Sequence, residues 1–465
     1  MDTSATLMKG SIDASTMTLC GRHYWIVAVS SLGQLIGTAL ATVAGVIIPM
    51  LNILAHPELP SAMQGLIGAI DLVGICIGSV IFGRLSDRFG YLLFFRLCPA
   101  LILGASLVSI FAPDVWVLIT CLFVCGLGIG GEYSLDSDYV TDLVPMRYRS
   151  LMVGVTKTAS ALGNIIAAAV CFGLVLYWRD ASRWPDLMWI VAATAAVMLV
   201  TRIRYYESPG WLISKGRFAE AEKTVKEFLG DDVYINLPET ASPSPMPEQA
   251  PKRPGLFRFM LSNWRQVVLS GVPWACEGLG VYGIGVFLPI LVMALGLEHF
   301  SPSDPEIYHV ALSVKVTLWI SCIMLPGFIA GLILINRKDK ITAIQAWGFT
   351  LCAISLVMLL LAYQYHWNKW ASIGAFMAFE FFLNMGPHLI TYVLPPRLYP
   401  QATRGLGVGL AASIGKIGAV LGVICIPVLL RSGGADLVLI VSAAVMALGA
   451  LVTTVVKVKP VTDNN

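Results

Sequence analysis

Apolar residues dominate this chain in long runs, and charges interrupt them at intervals too wide for a soluble fold. From Tyr24 to Val456 runs of 20 or more mostly apolar residues recur, each long enough to cross a bilayer as a helix. The pattern predicts about twelve spans, near 24–52, 62–83, 92–111, 115–141, 150–177, 186–202, 266–295, 308–335, 341–363, 369–395, 405–430 and 435–456. In lipid the backbone must satisfy its own hydrogen bonds, and these runs are too long and continuous for barrel strands. The fold class expected is an all-α membrane protein, with twelve transmembrane helices in two pseudo-symmetric six-helix bundles.

One long polar segment breaks the series and divides the chain into 1–202, 203–264 and 265–465. It opens with a short amphipathic helix near Glu220–Leu229. It continues through Ala241-Ser-Pro-Ser-Pro-Met-Pro-Glu-Gln-Ala-Pro251, a Pro/Ser linker with nothing to build a core. The flanking parts look like repeats. Placing Arg149 on Arg404 puts Pro145 on Pro400, Gly154 on Gly409 and Gly163 on Gly418, all at one offset.

Composition agrees: 57% hydrophobic, 13% charged and a mean hydropathy of +0.77, against about 25% charged in soluble domains. Most of the 31 Lys and Arg fall on the tails and even-numbered connections. That lopsidedness predicts both termini in the cytoplasm, in a multi-pass protein of the inner membrane. The net charge of +3 gives no hint of a nucleic-acid partner. The ten Cys lie scattered without a CxxC pair and read as small buried hydrophobes. Residues 1–23 lack the apolar core of a signal peptide. Neither P-loop, HExxH nor GxSxG occurs, so no enzyme, metal or cofactor is expected.

Carboxylates within spans are the informative residues, since each costs about 2.5–3.5 kcal/mol near a bilayer centre. They imply a water-filled path or a partner. Glu132 and Asp136 share a helix face with Tyr133 beside them; Asp138 and Asp142 share another. The expectation is proton coupling at Glu132, Asp136 and Asp71, with pairing of Glu132 and Asp136 to Lys157 as the plainer alternative. Asp138 and Asp142 suit a charge network with Arg88, Arg147 or Arg149. Glu380, Asn384 and His388 make an i, i+4, i+8 stripe expected to line a cavity. Trp274 and Tyr282 flank Glu277 about 18 Å into the seventh span, on a helix made pliable by Gly278, Gly280, Gly283 and Gly285. Lys416 is either an anion or carboxylate partner or a structural ion-pair member, and Lys315 is placed to snorkel.

The connection Gly83-Arg-Leu-Ser-Asp-Arg-Phe-Gly90 closely resembles the signature loop of the major facilitator superfamily. Glu207-Ser-Pro-Gly-Trp-Leu212 is similar to the segment after the sixth span in sugar porters. Gly130-Gly-Glu-Tyr-Ser-Leu135, Asn384-Met-Gly-Pro-His388 and Ala412-Ser-Ile-Gly-Lys-Ile-Gly-Ala419 resemble the phosphate:proton symporters, with parts shared by synaptic-vesicle-glycoprotein and organic-ion branches. The resemblance implies a secondary transporter that works by alternating access as a monomer, with protons and a small solute as partners. It implies gating by Gly83, Asp87, Arg88, Gly90, Asp142, Arg149 and Arg404, with Asp87 near a helix N-terminus and Arg88 near a carboxylate such as Asp142. It places Tyr133, Trp274, Tyr282 and Asn384 at the substrate; the reading of the spans themselves adds Glu277, Glu380 and His388. The chain departs from the phosphate pattern. The first span has no acid, Ser160 stands for a Gln, and Gly278 stands for an Asp with Glu277 one step away. The solute stays open between an organic anion, phosphate or a sugar and a neutral or cationic species. A transport-inactive receptor on the same fold is the reading from another class.

Overall fold

The computed structural model describes residues 7–9, 12–13, 19–55, 58–145, 148–229, 234–235, 256–297, 304–335, 340–399 and 404–458. Six spans form the first half: α1 (Gly21–Leu54), α2 (Ser61–Phe89), α3 (Tyr91–Phe111), α4 (Val115–Leu143), α5 (Arg149–Trp178), and α6 (Met188–Thr201) entered through a 3-10 turn at Ala181–Leu187. The segment after them carries α7 (Pro209–Ser214) and α8 (Phe218–Leu229). The short α9 (Leu256–Ser262) leads into the second half.

Helices in that half are more broken. The seventh span is α10 (Trp264–Gly278), a π-helical stretch at Leu279–Ile284, and α11 (Leu288–Ala294). The eighth is α12 (Glu306–Cys322) with α13 (Met324–Ile335), and the ninth is α14 (Ile341–Gln364). The tenth is α15 (Lys369–Met385) with α16 (Pro387–Val393), followed by the single turn α17 (Pro395–Leu398). The last two spans run as one element, α18 (Arg404–Val455). At about 1.5 Å per residue it is far too long for a single crossing. Gly433 and Gly434 leave helical geometry inside it, Gly434 at φ 65°, and the chain reverses there. The twelve expected spans are thus all present as helix.

The two halves repeat one another in their packing. α1 packs on α5 as α10 packs on α18, α2 on α4 as α13 on α15, and α3 on α6 as α14 on α18. Gly163 of α5 meets the Leu35 carbonyl of α1, and Gly418 of α18 meets Ala275 of α10. These two glycines hold matching positions in the sequence repeat. Across the divide, α2 packs on α18 and α5 on α12.

Exposed apolar side chains such as Val80, Leu93, Val108, Val200, Ile333, Leu421 and Leu451 form the lipid-facing surface, as the bilayer requires of a helix bundle. Trp319 and Trp370 stack at 5.8 Å, with Lys315 over Trp319 and Lys369 over Trp370, the aromatic composition of a membrane interface.

Three short strands, β1 (Leu7–Lys9), β2 (Ile12–Asp13) and β3 (Tyr234–Ile235), pair antiparallel in the order β2-β1-β3. They lie outside the spans, where water can meet a sheet edge.

The connection after α2 turns at Gly90 alone, since Gly83 lies within α2. Gly90 has φ 98° and ψ 162°, a backbone only glycine adopts without strain. A Cβ there would also strike the Glu207 carboxylate. Glu207 accepts from the Tyr91 amide at 2.7 Å and from Leu92, so it caps the N-terminus of α3. Sequence reasoning assigned a helix N-terminus to Asp87, whose side chain lies outside the described residues; at α3 the acid is Glu207. Tyr205 stacks on Tyr139 at 5.1 Å and meets Phe95 edge-on. Phe228 of α8 meets His23 of α1. Residues just after α6 are therefore built onto the first half.

Candidate functional site

Among the described residues, two separate polar clusters occupy the interior. The first lies wholly within the first half. Arg202, fully buried at the end of α6, forms an ion pair with Glu132 and a second with Asp136 at 3.2 Å. Its guanidinium lies 5.0 Å from the Phe95 ring centroid. Asp136 faces Gly33 of α1, where a Cβ would collide with its carboxylate. Two of the three acids expected to carry protons are therefore compensated here, by a guanidinium and not by Lys157. Arg202 stands at the end of a span, where a base in the sequence reads as a topology signal. The clue was available: two acids on one buried face demand a cation.

The second cluster lies where the halves meet. Lys157 of α5, 4% exposed, donates to Gln34 Oε1 at 3.1 Å and to the Tyr392 hydroxyl at 3.2 Å. Its ammonium stands 4.3 Å from the Tyr392 ring centroid and 5.8 Å from that of Tyr133. Lys416 of α18 donates to the Tyr282 hydroxyl at 3.1 Å and lies 4.4 Å from that ring and 5.5 Å from Tyr133. Both cations thus address one ring, Tyr133, from opposite halves. Among the described residues neither lysine is in an ion pair. Trp274 packs on Tyr392 at 4.9 Å, and Gly415 leaves room for its indole.

Glu277 and His388 stand beside this cluster, His388 Nδ1 lying 3.4 Å from Glu277 Oε1 with both side chains buried. His388 packs against Phe328 edge-on and stacks with Tyr392. Asn384 donates to Glu380 Oε2 at 3.2 Å and to the Glu380 carbonyl at 2.7 Å. Asp71 is buried on α2, its carboxylate accepting from the Leu72 amide at 2.8 Å. The expected stripe Glu380, Asn384, His388 is not one continuous helical face. Gly386 sits at φ −116°, ψ −86°, and the helix restarts at Pro387. Proline cannot donate to the ladder and crowds the preceding turn.

Glu380 and His388 nonetheless line one void, with Thr38, Thr42, Asn164 and Tyr282. Its volume is about 30 Å³, room for a water or two. The broad wet pocket expected from the sequence is, in this conformation, nearly closed. Thr42 donates to Asn164 Oδ1 at 2.6 Å, and Asn164 reaches Met324 of the second half at 3.1 Å. Toward the Leu54 end of α1 the halves touch backbone to backbone. A Cβ on Gly45 would overlap the Val286 carbonyl, and one on Gly65 would press Ile424 at 3.2 Å. That end is sealed. Lys416, Tyr133 and Tyr392 keep partial exposure at the interface.

Sequence reasoning missed Tyr392, Gln34, Thr38, Thr42 and Asn164, all uncharged residues whose role depends on which neighbour they face. Of the gating set, Gly83 approaches Ser134 and Arg88 is exposed above the Phe89 ring. The side chains of Asp87, Asp138, Asp142, Arg149 and Arg404, all of Arg147 and Pro400, and the linker 241–251 lie outside the described residues.

Residues 15–460 match the family described as "Sugar (and other) transporter". The chain is 25% identical over 398 residues to the inner membrane metabolite transport protein YgcS of Escherichia coli, covering 85% of this chain and 83% of that one. It is 26% identical over 404 residues to the niacin transporter NiaP of Acinetobacter baylyi, covering 86% and 85%. It is 25% identical over 395 residues to the putative inorganic phosphate transporter 1-13 of rice, Oryza sativa subsp. japonica, covering 79% and 76%. Its fold is that of the E. coli xylose transporter XylE in a partially occluded inward-open conformation, with a TM-score of 0.74 at 17% identity over 93% of this chain and 97% of that one. With its repeated six-helix halves and the polar cluster between them, the chain is a multi-pass membrane transporter and belongs to the sugar (and other) transporter family of the major facilitator superfamily.

Proposed function

We propose that this protein carries a small organic anion by alternating access of its two halves, driven inward by the proton gradient. One observation carries the choice of an anion. Lys157 and Lys416 enter the interface from opposite halves and, among the described residues, hydrogen-bond to amide and phenol oxygens without an ion pair, with Glu277 nearby. A buried cation without a carboxylate is costly unless a ligand completes it, and two ammonium groups suit the two oxygens of a carboxylate. The acids in the spans (Asp71, Glu132, Asp136, Asp138, Glu277 and Glu380) outnumber the lysines (Lys157, Lys315 and Lys416), which by count alone favours a neutral or cationic solute. Arg202 offsets one charge of the Glu132–Asp136 pair and holds both carboxylates inside the first half, away from the two lysines at the interface. The relatives include a niacin transporter and a putative inorganic phosphate transporter, names that support the same choice.

In this reading Tyr133, Trp274, Tyr282, Tyr392 and Asn384 bind and enclose the solute. Glu277 and His388 hold the coupling proton between carboxyl and imidazole. The Gly83–Gly90 connection, with Arg149 and Arg404, governs the end nearer Gly21, which lies in the cytoplasm of a cell whose inner membrane holds the protein. The division between the halves falls within the cytoplasmic segment 203–264.

Calorimetric titration of the purified protein with carboxylates, phosphate and uncharged sugars tests the anion. Lys157→Met and Lys416→Met should each weaken anion binding by about tenfold or more, the worth of a charge-assisted hydrogen bond. Binding of a sugar that is indifferent to both lysines, with no anion bound, would overturn the proposal.

A further inference from the structure

The surface between the two ammonium groups is aromatic. Tyr133 lies under both, at 5.8 and 5.5 Å from its centroid. Those distances approach the outer limit of a cation–ring contact, about 6 Å, so the ring is shared between the cations and gripped tightly by neither. Tyr392 lies under Lys157 and is backed by Trp274 on one side and His388 on another. Tyr133, Tyr392 and Lys416 are also the members of the cluster that stay partly exposed. What a solute meets there is therefore ring surface flanked by positive charge.

We infer that the anion is a planar aromatic carboxylate, its carboxylate taken by Lys157 and Lys416 and its ring laid against Tyr133 and Tyr392. This rests on the anion reading above and narrows it. A carboxylate conjugated to a ring is flat and rigid, so its charge and its π-face arrive in one fixed relation and little internal freedom is lost on binding. Offset or edge-to-face ring pairs add to plain area burial enough to change affinity by about two- to tenfold. An aliphatic acid of equal size gains the charge contacts and the burial but not that increment.

The test compares benzoate with cyclohexanecarboxylate, matched in charge and close in size, by calorimetric titration of the full-length protein in detergent. Benzoate should bind about two- to tenfold more tightly. Tyr133→Leu should bring the ratio toward one, whereas Tyr133→Phe, which keeps the ring, should preserve it. Lys157→Met should weaken both acids alike and leave the ratio unchanged. If cyclohexanecarboxylate binds as well as benzoate while both still need the lysines, the aromatic inference fails and the anion reading stands. If neither acid binds and an uncharged sugar does, the anion reading fails and takes this inference with it.

Discussion

Arg202 donates to Asp136 at 3.2 Å across 66 residues of sequence, with both side chains buried inside the first half. Glu132 joins them on the same guanidinium. Removing one member of a buried ionic group is worse than never having had it, because the remaining charges stay in low dielectric without compensation. Arg202→Met should therefore destabilise the protein by about 3–5 kcal/mol. Reversible unfolding in mixed micelles measures this. Adding Glu132→Gln and Asp136→Asn to the Arg202→Met protein should recover much of the loss. An unchanged unfolding midpoint for the single variant would refute the structural role of the triad.

Glu277 and His388 define a second prediction. Glu277→Gln keeps the shape and a hydrogen-bonding group but cannot release a proton. Proteoliposomes holding this variant should still exchange labelled solute for unlabelled solute, while losing accumulation in response to an imposed pH gradient. Glu132→Gln should leave the response to the gradient in place. The opposite pattern, with coupling lost at Glu132 and kept at Glu277, would return the proton to the cluster around Arg202.

The sealed end gives a third. A side chain at Gly45 must displace the Val286 carbonyl, and inserting bulk into a packed contact costs about 1–3 kcal/mol. Gly45→Val should shift the balance away from this closed conformation by about tenfold or more. A thiol reagent applied from the Leu54 side should then label Thr42→Cys faster in the Gly45→Val background than without it. Equal labelling would mean that the contact is no seal.

The turn at Gly90 gives a fourth. Glu207→Ala removes the cap on α3 and should cost about 0.5–2 kcal/mol. Gly90→Ala meets both the positive φ and the Glu207 carboxylate, and should cost more than 1 kcal/mol. Because the new methyl strikes the very group that the first change removes, the two losses should fall short of additive in a double-mutant cycle. Strict additivity in unfolding measurements would count against a direct contact.

The fold was legible because a bilayer allows few choices. A 20-residue apolar run has to be a helix, and Gly90, at φ 98°, stands at a reversal that other residues would resist. Glu277 and His388 could be named as candidates because polar groups deep in a span stand out against the apolar background, and Trp274 and Tyr282 because the chain resembles the phosphate:proton symporters there. The pairing of those groups was not legible. Whether Glu132 meets Lys157 or Arg202 depends on helix rotation and tilt, which hydrophobic periodicity constrains only to a broad face. Tyr392 was passed over for a related reason: one tyrosine near a span's end looks like an interface anchor until a lysine from the other half is found on it.

The interruption at Gly386-Pro387 bears on how occupancy could be sensed along the tenth span. Asn384 and Glu380 ride on one rod and His388 and Tyr392 on the next, so a single ligand touching both would be gripped by two levers sharing one joint. A pull on one lever need not drag the other through a stiff shaft; the joint can absorb the angle and let each arm answer to its own surroundings.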